Sequence, residues 1–162
     1  MAFTGSPTSS VQRALQKGGG GGKVEQHDFS RMMVAEFYYK HAAGQGVGEI
    51  NLIKLPSGKI RIYPNLCEII TSPTFTATVD LHIGYRAYTD PEASTPAVIE
   101  DDNYFADNLD PATVLKQSWP LPLIHPVFNT RDGFEIFIML DTSTGLEDDD
   151  VIEGCVVYSR GG

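Results

Sequence analysis

The chain has 162 residues, enough for one domain with a sizeable core and short of the usual length for two. Twelve basic against 21 acidic residues leave a formal net charge of -9, with the lysines and arginines scattered singly, so a phosphate backbone is repelled and no nucleic-acid partner is expected. No apolar stretch approaches the ~20 residues that cross a bilayer as a helix, and the N-terminus lacks the apolar run of a secretory signal, so no membrane partner is expected either.

Residues 1–23 differ from everything after them. They are rich in Ser, Thr and Gly and end in Gly18–Gly22, five glycines between Lys17 and Lys23 with maximal backbone entropy and no side chains to bury. This arm is either a tether pinned along a neighbouring subunit or a frayed tail. Residues 11–16 could turn helically with Val11, Ala14 and Leu15 as the apolar face; Phe3, Val11, Arg13, Leu15 and Lys17 are the candidate partner-binding residues. Residues 24–162 read as a single β domain.

Residues 32–40, MMVAEFYYK, carry the aromatic and β-branched composition of a strand. Residues 49–55 run into Pro56-Ser57-Gly58 and return as 59–64, which predicts a hairpin. A strand follows over 66–72. Residues 75–85 alternate most cleanly, with Phe75, Ala77, Val79, Leu81, Ile83 and Tyr85 on one side and Thr76, Thr78, Asp80 and His82 on the other, predicting a long, half-buried strand with His82 exposed. The prolines between 86 and 132 break the pattern, and residues 99–110, IEDDNYFADNLD, are expected to hold a short helix. Residues 134–140 are apolar on both faces and suit a central strand; 145–150 form an acidic turn, and 151–159 a last strand. Some seven or eight strands and no β-α alternation predict an all-β antiparallel sandwich or jelly roll.

The search for chemistry is largely negative. His27, His41, His82 and His125 lie in unrelated contexts, with no H-x-x-x-H or H-x-H pair and no cysteine beside one, so no metal and no cofactor are expected. Glu100-Asp101-Asp102 and Glu147-Asp148-Asp149-Asp150 lack the alternate spacing of a calcium loop and read as solvated carboxylates. There is no G-x-S-x-G elbow, and Gly18–Gly22 lacks the G-K-[ST] ending of a phosphate loop. Cys67 and Cys155 are either two buried thiols or a disulfide. No enzyme is indicated. What remains is contact: Tyr85, Tyr88 and Trp119 are either interface aromatics or core.

The runs INLIKLPSGKIRIYPNLCEI (50–69), FTATVDLHIGYRAYTD (75–90), RDGFEIFIML (131–140) and VIEGCVVY (151–158) resemble a group of small structural proteins of tailed bacteriophages, the head decoration or cement proteins. The resemblance spans about residues 48–158 and leaves the arm unmatched. It implies a virion protein on the outer capsid surface, present in the host cytoplasm during assembly, self-associating as a homotrimer and clamping major capsid protein subunits. Other readings are a tail or neck component of the virion, and a soluble carbohydrate-binding sandwich using Tyr85, Tyr88 and Trp119.

Overall fold

A computed structural model of the chain describes residues 31–42, 48–72, 80–111, 116–140 and 149–161. Within them the order of elements is β1 (Met32–Lys40), β2 (Glu49–Leu55), β3 (Gly58–Ile62), a 3-10 turn (Pro64–Leu66), β4 (Glu68–Thr71), β5 (Leu81–Tyr85), β6 (Tyr88–Thr89), β7 (Ala97–Val98), β8 (Asp101–Leu109), β9 (Gln117–Ser118), β10 (Val127–Thr130), β11 (Phe134–Leu140) and β12 (Val151–Gly161). All the pairings between them are antiparallel.

The first sheet is built around β12. One edge of β12 takes β1, in register from Met32 opposite Ser159 to Lys40 opposite Val151. The other edge takes β4 at Ile152–Cys155 and β3 at Tyr158–Gly161. A strand has only two edges, so β3 and β4 are one strand interrupted by the 3-10 turn, where Pro64 removes a backbone donor. Tyr63 N keeps the ladder alive by donating to Val157 O at 3.0 Å. Beyond this strand lie β10, on β3, and β9, on β4. The second sheet has the order β2-β11-β5-β8. A six-stranded and a four-stranded sheet, with β6 and β7 as a separate pair, make an all-β, antiparallel sandwich or jelly-roll-like fold, as the alternation and turn spacing predicted.

Three local expectations are corrected. The turn at Pro56-Ser57-Gly58 does not close a hairpin: β2 pairs with β11, whereas β3 pairs with β12 and β10, so the turn carries the chain from one sheet to the other. Gly58 takes φ +104 there, and Gly133 takes φ +98 at the crossing back from β10 to β11. A tight turn serves a sheet crossing as well as a hairpin, and the local sequence does not separate them.

Residues 101–109 form strand β8, not a helix. The register against β5 shifts twice, which places Phe105, Ala106 and Leu109 together in the core and imitates helical spacing. The strand predicted over 75–85 is described from residue 80 onward, and all five residues of β5 are buried. β5 is paired along both edges by β11 and β8, and Asp107 of β8 covers the face on which His82 stands. His82 is therefore 9% exposed rather than on a wet face, and its Nδ1 meets Asp107 Oδ1 at 2.9 Å.

The outer face of the second sheet is closed by one cation. Phe137 points away from the inter-sheet core yet is fully buried, because the Arg86 guanidinium lies 3.9 Å from its ring centroid. The same guanidinium donates to Asn51 Oδ1 at 3.0 Å and pairs with Glu49 at 2.6 Å and Glu100 at 3.0 Å. It thus joins β2, β11 and the ends of β5 and β8.

Gly84 in β5 has no room for a side chain, since a Cβ there would overlap the backbone of Asp101 and Asp102. Gly84→Ala is expected to cost roughly 1–3 kcal/mol by overpacking. In urea titrations this appears as a lower midpoint with an unchanged slope.

Candidate functional site

The arm residues Phe3, Val11, Arg13, Leu15 and Lys17 lie outside the described residues. The three candidate aromatics lie in a cluster that bridges the two sheets. Tyr85 and Trp119 are buried and Tyr88 is half-buried. Phe128 of the first sheet stacks on Phe134 of the second at 4.1 Å, with Tyr85 edge-on to Tyr88 at 5.8 Å and Trp119 against Phe105 at 5.1 Å. Such pairs add about 0.5–1.5 kcal/mol each beyond area burial. Placed this way, the three rings hold the sheets together and offer little surface to a ligand.

The titratable groups are similarly committed. Glu100 is held by Arg86. Asp149 pairs with Lys40 at 2.7 Å, while Asp150 is buried and accepts from Ser72 Oγ at 3.3 Å. Neighbours in sequence, these two carboxylates serve different partners. Glu147, Asp148 and His27 fall outside the described residues. His41 is buried beside Tyr39, whose hydroxyl lies 3.2 Å from its Nδ1, and His125 meets Asn65 Oδ1 at 3.1 Å. No group of three potential metal ligands converges among the described residues.

Cys67 and Cys155 are free thiols. Cys67 is fully buried, its Sγ accepting from Val157 N at 3.3 Å, and burial pushes its pKa up to about 12 from an ordinary value of 9.0. Burial also pushes the Tyr88 hydroxyl up to about 12, with Tyr85 and Asp90 adding to the shift.

Two surfaces stand out once these groups are set aside. The first is the loop from β9 to β10. Residues 117–130 contain no charged side chain. Pro120, Pro122 and Pro126 fix φ at three positions. Backbone bonds from Leu121 N to Phe105 O and from Ile62 N to Pro126 O, each 3.0 Å, anchor the loop at both ends. The Tyr63 ring packs on His125 at 4.8 Å. Leu123 at 94% exposure and Ile124 at 71% project from this braced base. Isolated surface leucines are ordinary, but adjacent ones on a proline-set loop in a chain of net charge -9 form a neutral, preorganised contact.

The second surface is the outer face of the first sheet. Alternation along β1 turns Met33, Ala35, Phe37 and Tyr39 to the core and leaves Met32, Val34, Glu36, Tyr38 and Lys40 exposed. Glu36 stands opposite Cys155, and Tyr38 opposite Glu153. With Glu68 and Ile70 of β4 these residues line a shallow basin of about 520 Å³. Sequence alternation in residues 32–40 carried the signal for this face, but only the β1–β12–β4 register brings its three glutamates together.

No family model matches the sequence, and no curated protein is detectably similar to it. By structure, the chain is similar to one from the cyanophage Pam1 capsid asymmetric unit, with a TM-score of 0.52 and 14% identity over 99% of this chain and 99% of that one. It is also similar to a chain of the infectious bursal disease virus Gx strain, with a TM-score of 0.51 and 15% identity, covering 84% of this chain and 33% of that longer one. A chain of the acidic stable capsid of Helicobacter pylori bacteriophage KHP30 gives 0.49 at 15% identity over 82% of this chain and 90% of that one. What the first two likenesses establish is the fold.

Two outcomes follow from the buried groups. Trp119 Nε1 is buried without an acceptor among the described residues, so Trp119→Phe is expected within about 1 kcal/mol of wild type, while Trp119→Ala costs about 3–5 kcal/mol; urea titrations separate them. Groups whose pKa is raised by folding contribute stability that is complete below their unfolded values and is lost as pH rises through the folded ones. The Cys67 and Tyr88 shifts therefore predict a melting temperature that falls between about pH 9 and about pH 12, and a smaller fall for Cys67→Ala over that window.

Proposed function

We propose that this chain is a structural protein of a phage virion, set on the outer surface of the capsid, where it stabilises contacts between major capsid subunits. The observation that carries the reading is the end-to-end likeness to a chain of the Pam1 capsid asymmetric unit, over 99% of both. Two features support the outer location and the binding role. The net charge of -9 opposes packing against a DNA-filled interior, whose phosphates carry the same sign. The uncharged 117–130 loop offers a place where acidic copies can meet without repulsion, and in this reading it joins them as a homotrimer. Many copies on a closed shell turn a weak single contact into a strong total. The braced double-sheet body supplies footing rather than chemistry, and the reading needs no cofactor and no catalytic residue.

Antibody labelling of purified virions, viewed by negative-stain electron microscopy, tests it. Label distributed over the heads is the expected outcome. Label confined to the tail or neck, or no label, overturns the decoration role. For the purified protein, light scattering at low micromolar concentration should give the mass of three chains, and Leu123→Asp with Ile124→Asp should give that of one.

A further inference from the structure

We infer that the outer face of the first sheet is covered by the chain's own N-terminal segment, residues 3–17. The inference concerns this chain alone and stands apart from the capsid role. It begins from the sheet face: Met32, Val34 and Tyr38 are 56%, 62% and 64% exposed in one row along an edge strand, beside the basin floored by Cys155 and Ile70. The basin's charged lining is Glu36, Glu68 and Glu153. Glu68 is paired with Lys116 at 3.0 Å, and neither Glu36 nor Glu153 has a cation among the described residues. An occupant must therefore bring both apolar surface and positive charge.

One segment of the chain has that composition. Residues 1–24 hold Arg13, Lys17 and Lys23 and no acidic residue, so the negative charge of the molecule belongs wholly to the remainder. Phe3, Val11 and Leu15 supply apolar side chains, and Val11, Arg13, Leu15 and Lys17 fall on one side of an extended backbone, apolar and cationic by turns. The exposed row of β1 offers Met32, Val34 and Tyr38 as apolar partners and Glu36 as a carboxylate, and Glu153 of β12 adds a second carboxylate beside Tyr38.

Reach agrees as well. The segment joins the sheet at the start of β1, and from Met32 to Tyr38 the strand advances about 20 Å. A random-coil chain of fourteen residues, the number from 18 to 31, would span about 20 Å root-mean-square. Attached at that distance, the segment meets the face at an effective concentration in the millimolar range, enough for a few exposed ion pairs and apolar contacts to hold it.

Tryptic cleavage after Arg13 and Lys17 reads the docking in the full-length protein. A free peptide of residues 1–31 in the same tube serves as the rate standard. In about 50 mM salt, the wild type is expected to be cut at these sites on the order of tenfold more slowly than the peptide. Glu36→Lys with Glu153→Lys should remove that protection, and about 1 M salt should remove it from the unaltered protein. The salt series decides the matter if the double variant does not fold. Cleavage of the wild type at the peptide's rate in low salt, or protection indifferent to both salt and the double substitution, overturns the inference. Protection that disappears on dilution also overturns it, since it assigns the covering segment to a neighbouring copy.

Discussion

The architecture depends on β12 being hydrogen-bonded along both edges. Its residues 152–155 are shared by β1 and β4, and residues 158–159 by β1 and β3, so every other strand of the first sheet reaches its place through this one. Core residues Ile152, Val156 and Tyr158 alternate along it and face the second sheet. Gly154 lies where Phe37 and the Glu68 carbonyl close in from the two sides, and a Cβ there would strike both. The tight approach lets β1 and β4 flank β12 without splaying. Loss of β12 would leave β1 unpaired and β3 and β4 without the strand that aligns them.

The second sheet solves the opposite problem. Its core face is apolar, but β11 also presents Phe137 outward, where a sheet face normally meets water. Arg86 converts that exposure into a buried contact while its three nitrogens bond Glu49, Asn51 and Glu100. Each sheet therefore has a different exterior: one sealed by a cation and its ligands, the other left open with a row of apolar and acidic side chains. The neutral loop at residues 117–130 adds a third kind of surface.

The strands whose patterning is local were legible from sequence. Residues 32–40, 134–140 and 151–159 all form strands where composition placed them, and the doubly apolar run at 134–140 is indeed central, between β2 and β5. What sequence could not supply was the long-range partner. The Pro56-Ser57-Gly58 turn is the same whether residues 59–62 fold back on 49–55 or cross to the other sheet. At residues 101–109, two register shifts disguised a strand as a helix. His82 looked exposed because alternation names a face but not what covers it, here Asp107. The same limit applies to the sites. The aromatics Tyr85, Tyr88 and Trp119 were visible as a set, and their shared location between the sheets was not. The acidic basin was invisible, since Glu36, Glu68 and Glu153 are far apart in the chain and meet only through the pairing of three strands.

The pairing of β1 with β12 also orders events during biosynthesis. A ribosome releases residues 32–40 early and residues 151–159 only near the end of this sequence, so the first strand has no hydrogen-bonding partner while most of the domain is being made. During that interval both of its edges and the methionine, valine and tyrosine side chains of both its faces are open to other nascent chains. The closing of the first sheet thus waits for β12, and a stalled or truncated product lacking that strand would expose a ready template for intermolecular β-pairing.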